Sequence, residues 1–141
     1  LGAAASGRPM ALFGDDYPTP DGTPIRDYIH VEDLAEAHEL AIEATGTPLA
    51  PGADPAISLN LGTGSGFSVR DVIRAAEAVV GGPIPCSTGP RRAGDPPILV
   101  ASAERAREVL GWAPRRGSLA EMIGSAWRWR LAHPGGYGEN R

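Results

Sequence analysis

The chain has 141 residues, 42% of them hydrophobic and 21% charged, with a net charge of −4 from 13 basic and 17 acidic residues. This length and composition fit one globular domain and exclude a disordered chain. The acidic balance gives no electrostatic basis for binding nucleic acid or an anionic membrane, and no apolar run approaches the roughly 18 residues that a membrane span needs.

The single cysteine, Cys86, cannot form an internal disulfide. This usage suits a reducing compartment and, with no signal-peptide pattern at the start of the chain, we expect a cytoplasmic protein. Cys86 has no histidine beside it, so we expect a small buried residue and not a reactive thiol.

The first third of the chain predicts helix, strand, strand and helix. The alanine-rich stretch Leu1–Ser6 is typical of a helix end, and Met10–Phe13 and Asp27–Val31 are each typical of a short strand. Asp33 is then predicted to cap a helix, with Glu36 completing a capping box. The predicted apolar stripe of this helix comprises Leu34, Ala37, Ala41 and Ala44.

The middle of the chain begins with a Pro/Gly/Ala linker, Thr47–Pro55. Ile57–Leu61 is predicted to be a strand that leads into the glycine-rich turn Gly62–Gly66. Ser68 and Asp71 form a second capping box, which predicts a helix that ends at about Val80.

The last third predicts two short strands and two helices. The strands are Ile84–Ser87 and Ile98–Val100, the first helix is capped by Ser102, and Ser118 with Glu121 forms a capping box for the second. The residues of the last helix predicted to face the core are Met122, Ile123, Ala126 and Trp127. The fold class is therefore α/β: a small mixed domain with short strands and about four helices.

The glycine-rich turn follows a predicted strand and opens towards a helix, which is the setting of a dinucleotide fingerprint. It departs from that fingerprint because Phe67 stands where the third glycine belongs, and no acidic residue lies in the region about 20 residues on, Gly81–Ser87. We interpret it as a tight turn before a serine-capped helix. The three histidines have no spacing typical of a metal site and are expected to be structural.

Two loops carry residues suited to a nucleoside diphosphate. Arg26 follows an acidic, proline-rich loop, and its guanidinium can donate two parallel hydrogen bonds to phosphate oxygens. The alternative for Arg26 is an ion pair with Asp27 or a nearby loop acid. Further on, Arg92 can neutralise a phosphate, and Asp95 can accept hydrogen bonds from both ribose hydroxyls. The alternative for this second loop is a solvated segment with internal ion pairs.

Several segments resemble the C-terminal part of UDP-glucose 4-epimerases, within the extended short-chain dehydrogenase/reductase superfamily. They are FGDDYPT at Phe13–Thr19, DGT at Asp21–Thr23, RDYIHVEDLAEAH at Arg26–His38, NLGTG at Asn60–Gly64, PRRAGDP at Pro90–Pro96 and LGW at Leu110–Trp112. They occur in the family's order and at about its spacing, over nearly the whole chain. Such enzymes are usually more than twice this length, so the resemblance implies the C-terminal, substrate-binding portion of one.

The resemblance also implies roles for individual residues. Arg26 and Arg92 would contact the UDP diphosphate, Asp95 the uridine ribose, and Ala11 and Phe13 the uracil. The substrate would be a UDP-sugar, and the intact enzyme a homodimer.

Leu99 marks a departure from the family. At this place family members carry a bulky aromatic or a small residue, whose size limits the group on the sugar's 2-position. Leucine is intermediate, so we expect partial acceptance of N-acetylated sugars.

The family's hydride chemistry uses a tightly held NAD, a Tyr-x-x-x-Lys pair and a glycine-rich phosphate loop. This sequence contains no lysine, so none of its tyrosines, Tyr17, Tyr28 and Tyr137, has a lysine four residues later. We therefore expect the N-terminal NAD-binding domain to be absent from this chain, which begins at Leu1, and the chain alone to be inactive. A sister dehydratase or decarboxylase, or a non-catalytic sugar-nucleotide binder, are the alternatives.

Overall fold

The computed structural model describes residues 1–45 and 56–137, which form a small mixed α/β fold as predicted. Its helices are α1 (Gly2–Ser6), α2 (Val31–Thr45), α3 (Val69–Val80), α4 (Glu104–Leu110) and α5 (Leu119–Ala132). Its strands are β1 (Met10–Phe13), β2 (Ile25–Arg26), β3 (Phe67–Ser68), β4 (Cys86–Gly89) and β5 (Ile98–Leu99). The predicted linker Thr47–Pro55 lies outside the described residues.

The strands form two small sheets that place the candidate residues close together. β1 pairs in parallel with β4, and the pairing ends at Phe13 opposite Gly89. In the second sheet β2 lies between the antiparallel β3 and the parallel β5. Arg26 is thereby opposite Phe67 on one side and Leu99 on the other.

Two predicted strands are wrong. Ile57–Leu61 forms no regular structure. The strand predicted at Asp27–Val31 is also absent: the strand β2 ends just before it, at Arg26, and Val31 already belongs to α2. The pairing ends with the Asp27 amide, which donates to the Leu99 carbonyl at 3.1 Å, and the Asp27 carboxylate then accepts a hydrogen bond from the Thr63 amide of the glycine-rich turn at 2.9 Å. Alternation of apolar and polar residues could not reveal that competing side-chain bond.

The predicted cap of α2 is also wrong. The helix begins at Val31, and His30 accepts the Glu32 amide on its Nδ1 at 3.1 Å, which satisfies one of the free amides of the first turn. Asp33 lies inside that turn with no exposed surface. Its carboxylate accepts the amides of Arg115 and Arg116 at 3.0 and 2.9 Å, so it ties α2 to the segment before α5.

The other predicted caps correspond to the structure more closely. Ser68 and Asp71 form a complete capping box at α3, and the Ser118 hydroxyl accepts the Glu121 amide at 3.2 Å at the start of α5. Ser102 is near α4, but Ala103 is the cap residue and the Ser102 hydroxyl accepts the Glu104 amide. Local hydrogen bonds between residues two or three apart are the features that the sequence pattern captures well.

The core consists of two clusters of buried residues. One joins Ala37 of α2 to Ala103, Ala106 and the buried ring of Trp112, and the other packs α3 against α5. Of the four core residues predicted for α5, Ile123 is buried, Met122 and Trp127 are half-buried, and Ala126 is exposed. In the predicted stripe of α2, Ala37 is buried and Ala41 is half-buried, whereas Leu34 and Ala44 are exposed.

Cys86 is exposed, which contradicts the expected burial. It begins β4, and the three residues at the start of that strand are all exposed. Because β4 pairs only with β1 among the described strands, its side chains have little protein around them.

Candidate functional site

Five of the six predicted site residues line one cavity of about 240 Å³. The cavity is lined by Ala11, Leu12, Phe13, Pro24, Arg26, Val69, Arg92 and Asp95. β1 supplies its apolar wall, β2 supplies Arg26, and the loop between β4 and β5 supplies Arg92 and Asp95. The sixth predicted residue, Leu99, is not part of the lining; it lies opposite Arg26 on β5 and is 59% exposed.

Arg26 forms an ion pair with Asp95 across the cavity. The two side chains are 21% and 27% exposed, so the pair is more shielded from solvent than the other arginine pairs with loop acids. A second guanidinium nitrogen of Arg26 donates to the carbonyl of Ile25 at 2.7 Å. The alternative considered for Arg26, an ion pair with a loop acid, is therefore present, and its partner is Asp95. The internal ion pairs considered for the second loop are not seen among its described residues, because Asp95 and Arg91 both pair with residues outside that loop.

Asp27 binds the glycine-rich turn. Its carboxylate accepts the amides of Thr63, Gly64 and Ala101 at 2.9, 3.1 and 3.3 Å, together with the Thr63 hydroxyl at 2.6 Å. A Cβ at Gly62 would lie 2.6 Å from the same carboxylate. The amides that could hold a dinucleotide phosphate therefore already have an anionic partner, and this turn does not fit NAD.

The two adjacent arginines of the second loop point to different partners. The Arg92 guanidinium carbon lies 4.1 Å from the centre of the Phe13 ring, in the cavity wall. Arg91 instead lies 4.4 Å from the centre of the Tyr17 ring and donates from Nε to Asp16 at 2.6 Å. That hydrogen bond from Arg91 holds the pKa of the Asp16 carboxyl below its usual value.

The acidic loop between β1 and β2 is held by its own side chains. Asp21 accepts the amide and hydroxyl of Thr23 at 2.9 and 2.6 Å and also accepts the Ser68 hydroxyl. Burial acts to raise the pKa of Asp21, but the hydrogen bonds from Ser68 and Thr23 outweigh it and the pKa is lowered. Sequence reasoning missed the supporting roles of Tyr17 and Thr23, which are buried; their place in a proline-rich loop gave no sign of burial.

A larger cavity, with a volume of about 490 Å³, lies elsewhere, between the start of α2 and α5. Its lining is mostly apolar, with Trp129 at one side and the buried His30 bonded through Nε2 to Ser125 at 2.9 Å. Because Nδ1 of His30 accepts the Glu32 amide, the proton of the neutral ring is on Nε2. The ring therefore donates to Ser125 and cannot activate it as a nucleophile.

Residues 1–45 and 56–137 contain no cluster of three or more metal-ligating side chains, and none of their helices is long and apolar enough to cross a membrane. The cavity that holds the predicted residues presents two arginines, one carboxylate and an aromatic ring. Such a set is suited to a phosphorylated ligand with a planar ring.

Comparison with known proteins confirms the resemblance to UDP-glucose 4-epimerases. The chain is 52% identical over 128 residues to the UDP-glucose 4-epimerase of Halalkalibacterium halodurans and 53% identical over 128 residues to that of Streptomyces lividans. Each alignment covers 91% of this chain but only 37% and 36% of the relative. The chain thus spans little more than a third of the length of these relatives.

Family and structural comparisons agree with this result. Residues 1–52 match the model of the NAD dependent epimerase/dehydratase family. The crystal structure of UDP-glucose 4-epimerase from Bifidobacterium longum, in complex with NAD+ and UDP, superposes with a TM-score of 0.83 at 39% identity. That superposition covers 96% of this chain and 38% of the solved one.

Proposed function

We propose that this relative of the UDP-glucose 4-epimerases is the C-terminal, nucleotide-sugar-binding portion of such an enzyme, and that residues 1–141 bind the UDP part of a UDP-sugar. The observation that carries the proposal is the convergence of Arg26, Arg92 and Asp95 on one cavity whose apolar wall contains Ala11 and Phe13.

The chemistry of each residue in the cavity suits a different part of UDP. Arg92 faces the cavity without a carboxylate in ion-pair range among the described residues, so it is the group available to neutralise the diphosphate. Phe13 offers a ring face for uracil, with Ala11 beside it. Asp95 can accept the ribose hydroxyls, and Arg26, oriented by its ion pair with Asp95, can donate a hydrogen bond to the second phosphate.

Leu99 is proposed to face the sugar. It follows from the pairing of β2 with β5 that Leu99 lies beside Arg26, just outside the cavity, with much of its side chain exposed. A group that extends from the diphosphate beyond Arg26 would reach this residue. The side chain at this position would then limit the substituent on the sugar's 2-position.

Interconversion of UDP-glucose and UDP-galactose, as part of galactose metabolism, is the proposed activity of the longer polypeptide. The hydride chemistry needs NAD and a basic tyrosine, and this sequence offers neither a fitting cofactor turn nor a single lysine. We propose that an N-terminal NAD-binding portion supplies both, that the complete enzyme is a cytoplasmic homodimer, and that this chain alone is inactive.

Calorimetric titration of the chain with UDP tests the binding proposal. We expect UDP to bind, uridine to bind far more weakly, and Arg92→Gln to weaken UDP binding by about tenfold, since one charge-assisted contact is lost. Arg115→Gln, which removes the same charge from a pair with Glu36, is the matched control. Equal affinity for UDP and uridine would overturn the role of the arginines.

Product analysis separates the activities of the longer polypeptide. Incubation of UDP-galactose with a polypeptide that carries this chain and an NAD-binding portion should yield UDP-glucose. A 4-keto-6-deoxy sugar or a decarboxylated pentose would instead identify a dehydratase or a decarboxylase. No product together with retained UDP binding would identify a non-catalytic binder.

A further inference from the structure

Arg91 is held against the opposite loop by three contacts. Its Nε donates to the Asp16 carboxylate at 2.6 Å, a terminal nitrogen donates to the Asp16 carbonyl, and its guanidinium lies 4.4 Å from the centre of the Tyr17 ring. Tyr17 is buried and its amide donates to Gly22 at 2.9 Å, so the platform under Arg91 is fixed by the loop itself. We call Asp16, Tyr17 and Arg91 the arginine clamp.

The backbone at Gly14 makes room for the arginine clamp. Gly14 has a φ of +82°, and a Cβ there would lie 2.6 Å from both the Cγ of Arg91 and the Cε2 of Tyr17. Its amide donates to Gly89 at 2.9 Å and extends the pairing of β1 with β4 by one bond. The loop that carries Arg92 and Asp95 starts immediately after Gly89, so the clamp fixes that loop close to its origin.

We propose that the arginine clamp is the positioning device of the nucleotide site: it orders residues 90–95 so that Arg92 lies on Phe13 and Asp95 meets Arg26. This inference rests on the proposed UDP function for its effect on affinity, but its effect on the loop holds without ligand. Asp16, Tyr17 and Arg91 do not line the cavity, so they act through Arg92 and Asp95. The two neighbouring arginines thus divide their work, with one anchoring the loop and the other facing the ligand.

The direction in which Asp16→Ala changes the affinity for UDP distinguishes a positioning role of Arg91 from direct phosphate binding. If Arg91 were a phosphate ligand restrained by Asp16, then Asp16→Ala would free its guanidinium, remove a nearby negative charge and strengthen UDP binding. If Arg91 is an anchor, Asp16→Ala and Arg91→Gln both weaken UDP binding, because each opens the same clamp. Arg91→Lys keeps the charge but not the planar guanidinium, so its affinity for UDP should lie between those of wild type and Arg91→Gln.

The experiment combines UDP titration at about 0.15 M salt, which screens distant charges, with hydrogen exchange of the Gly14 and Asp95 amides, which donate to Gly89 and Arg92, in the ligand-free chain. We expect Asp16→Ala and Arg91→Gln each to weaken UDP binding about fivefold and to speed the exchange of these amides by a similar factor. The controls are Glu36→Ala and Arg115→Gln, which open an ion pair with the same charge changes away from the cavity.

Each outcome supports or overturns the arginine clamp. Faster exchange in the clamp variants but not in the controls supports the proposal, even if wild type binds no UDP, a result that would remove the proposed function alone. Exchange unchanged from the controls overturns the clamp. Tighter UDP binding by Asp16→Ala with weaker binding by Arg91→Gln also overturns it and makes Arg91 a phosphate ligand.

Discussion

The guanidinium of Arg92 lies 4.1 Å from the centre of the Phe13 ring, so a cation from one loop and an aromatic ring from β1 form one wall of the cavity. Stacking of this kind orients a planar guanidinium and leaves its edge free to donate hydrogen bonds. A phosphate binding in the cavity would meet an arginine that is already oriented.

The first prediction concerns Phe13. Phe13→Ala removes the surface on which Arg92 stacks and the proposed surface for uracil, so UDP binding should weaken by about tenfold. Calorimetric titration of the chain measures the change. Trp129→Ala removes a ring that is exposed to a similar degree at the other cavity, and it should leave UDP affinity unchanged. Equal losses in both variants would contradict a specific role for Phe13.

The second prediction concerns Asp33. Its buried carboxylate accepts two backbone amides, so Asp33→Ala leaves the amides of Arg115 and Arg116 without their acceptor and should cost about 3 kcal/mol of unfolding free energy. A simple helix cap would contribute only about 1 kcal/mol. Urea unfolding distinguishes the two, with Glu32→Ala, which removes an exposed pair with Arg116, as the control. A loss no larger than that of a cap would contradict the buried role.

The third prediction compares two glycines with positive φ. Gly7→Ala meets only the backbone cost, about 1 kcal/mol, because a Cβ there has nothing within 4 Å. Gly14→Ala adds contacts of 2.6 Å with Arg91 and Tyr17, so it should cost at least about 1 kcal/mol more. Thermal unfolding of the two variants gives the difference directly. Equal costs would mean that Arg91 and Tyr17 move aside without loss.

The fourth prediction is a dependence of stability on pH. The hydrogen bond that the Ser68 amide donates to Asp71 is the main cause that lowers the pKa of this carboxyl; burial opposes it, and the Ser68 side chain and Arg74 lower the pKa further. A lowered folded-state pKa contributes stability that is present above the unfolded value and lost as pH falls through the folded value. Asp71→Asn should therefore reduce the loss of unfolding free energy as the pH falls below about 4. Glu39→Gln, at an exposed position of α2, is the control. An unchanged dependence of unfolding free energy on pH in Asp71→Asn would contradict the role of Asp71.

The fifth prediction concerns Leu99 in a polypeptide that joins this chain to an NAD-binding portion, as proposed above. With leucine of intermediate size there, steady-state rates on UDP-N-acetylgalactosamine should be measurable but lower than those on UDP-galactose. Leu99→Ala should raise the relative rate on the N-acetylated sugar, because space opens beside Arg26. Equal rates in wild type, or complete exclusion of the N-acetylated sugar, would contradict the role of Leu99.

The sequence predicts those features that depend on neighbours along the chain. Met10–Phe13 is a strand with the predicted bounds, and the Ser68–Asp71 capping box is present, since both depend on residues a few positions apart. Asp33 has the same local pattern as a cap, but its partners lie 82 and 83 residues away, and no local rule could identify them. The short strands also depend on such distant contacts.

In the candidate site too, the residue types could be predicted from the sequence, whereas the contacts between distant residues could not. Arg26, Arg92 and Asp95 could be selected from the sequence because arginines and an aspartate in glycine- and proline-rich loops suit a nucleotide, and the resemblance added Ala11 and Phe13. Which of two adjacent arginines faces the cavity could not be predicted, because Tyr17 and Asp16 reach Arg91 across 74 and 75 residues. That choice depends on packing between β1 and β4.

Asp27 follows Arg26 directly, and its carboxylate bonds to residues 36, 37 and 74 positions further along the chain. Any ligand that shifts the backbone at Arg26 must therefore also move the turn around Thr63 or break those bonds. The amide signals of Thr63 and Gly64 should then change when the cavity is filled, although these residues do not line it. The glycine-rich turn, which does not contact the ligand itself, would then show in its amide signals whether the cavity is filled.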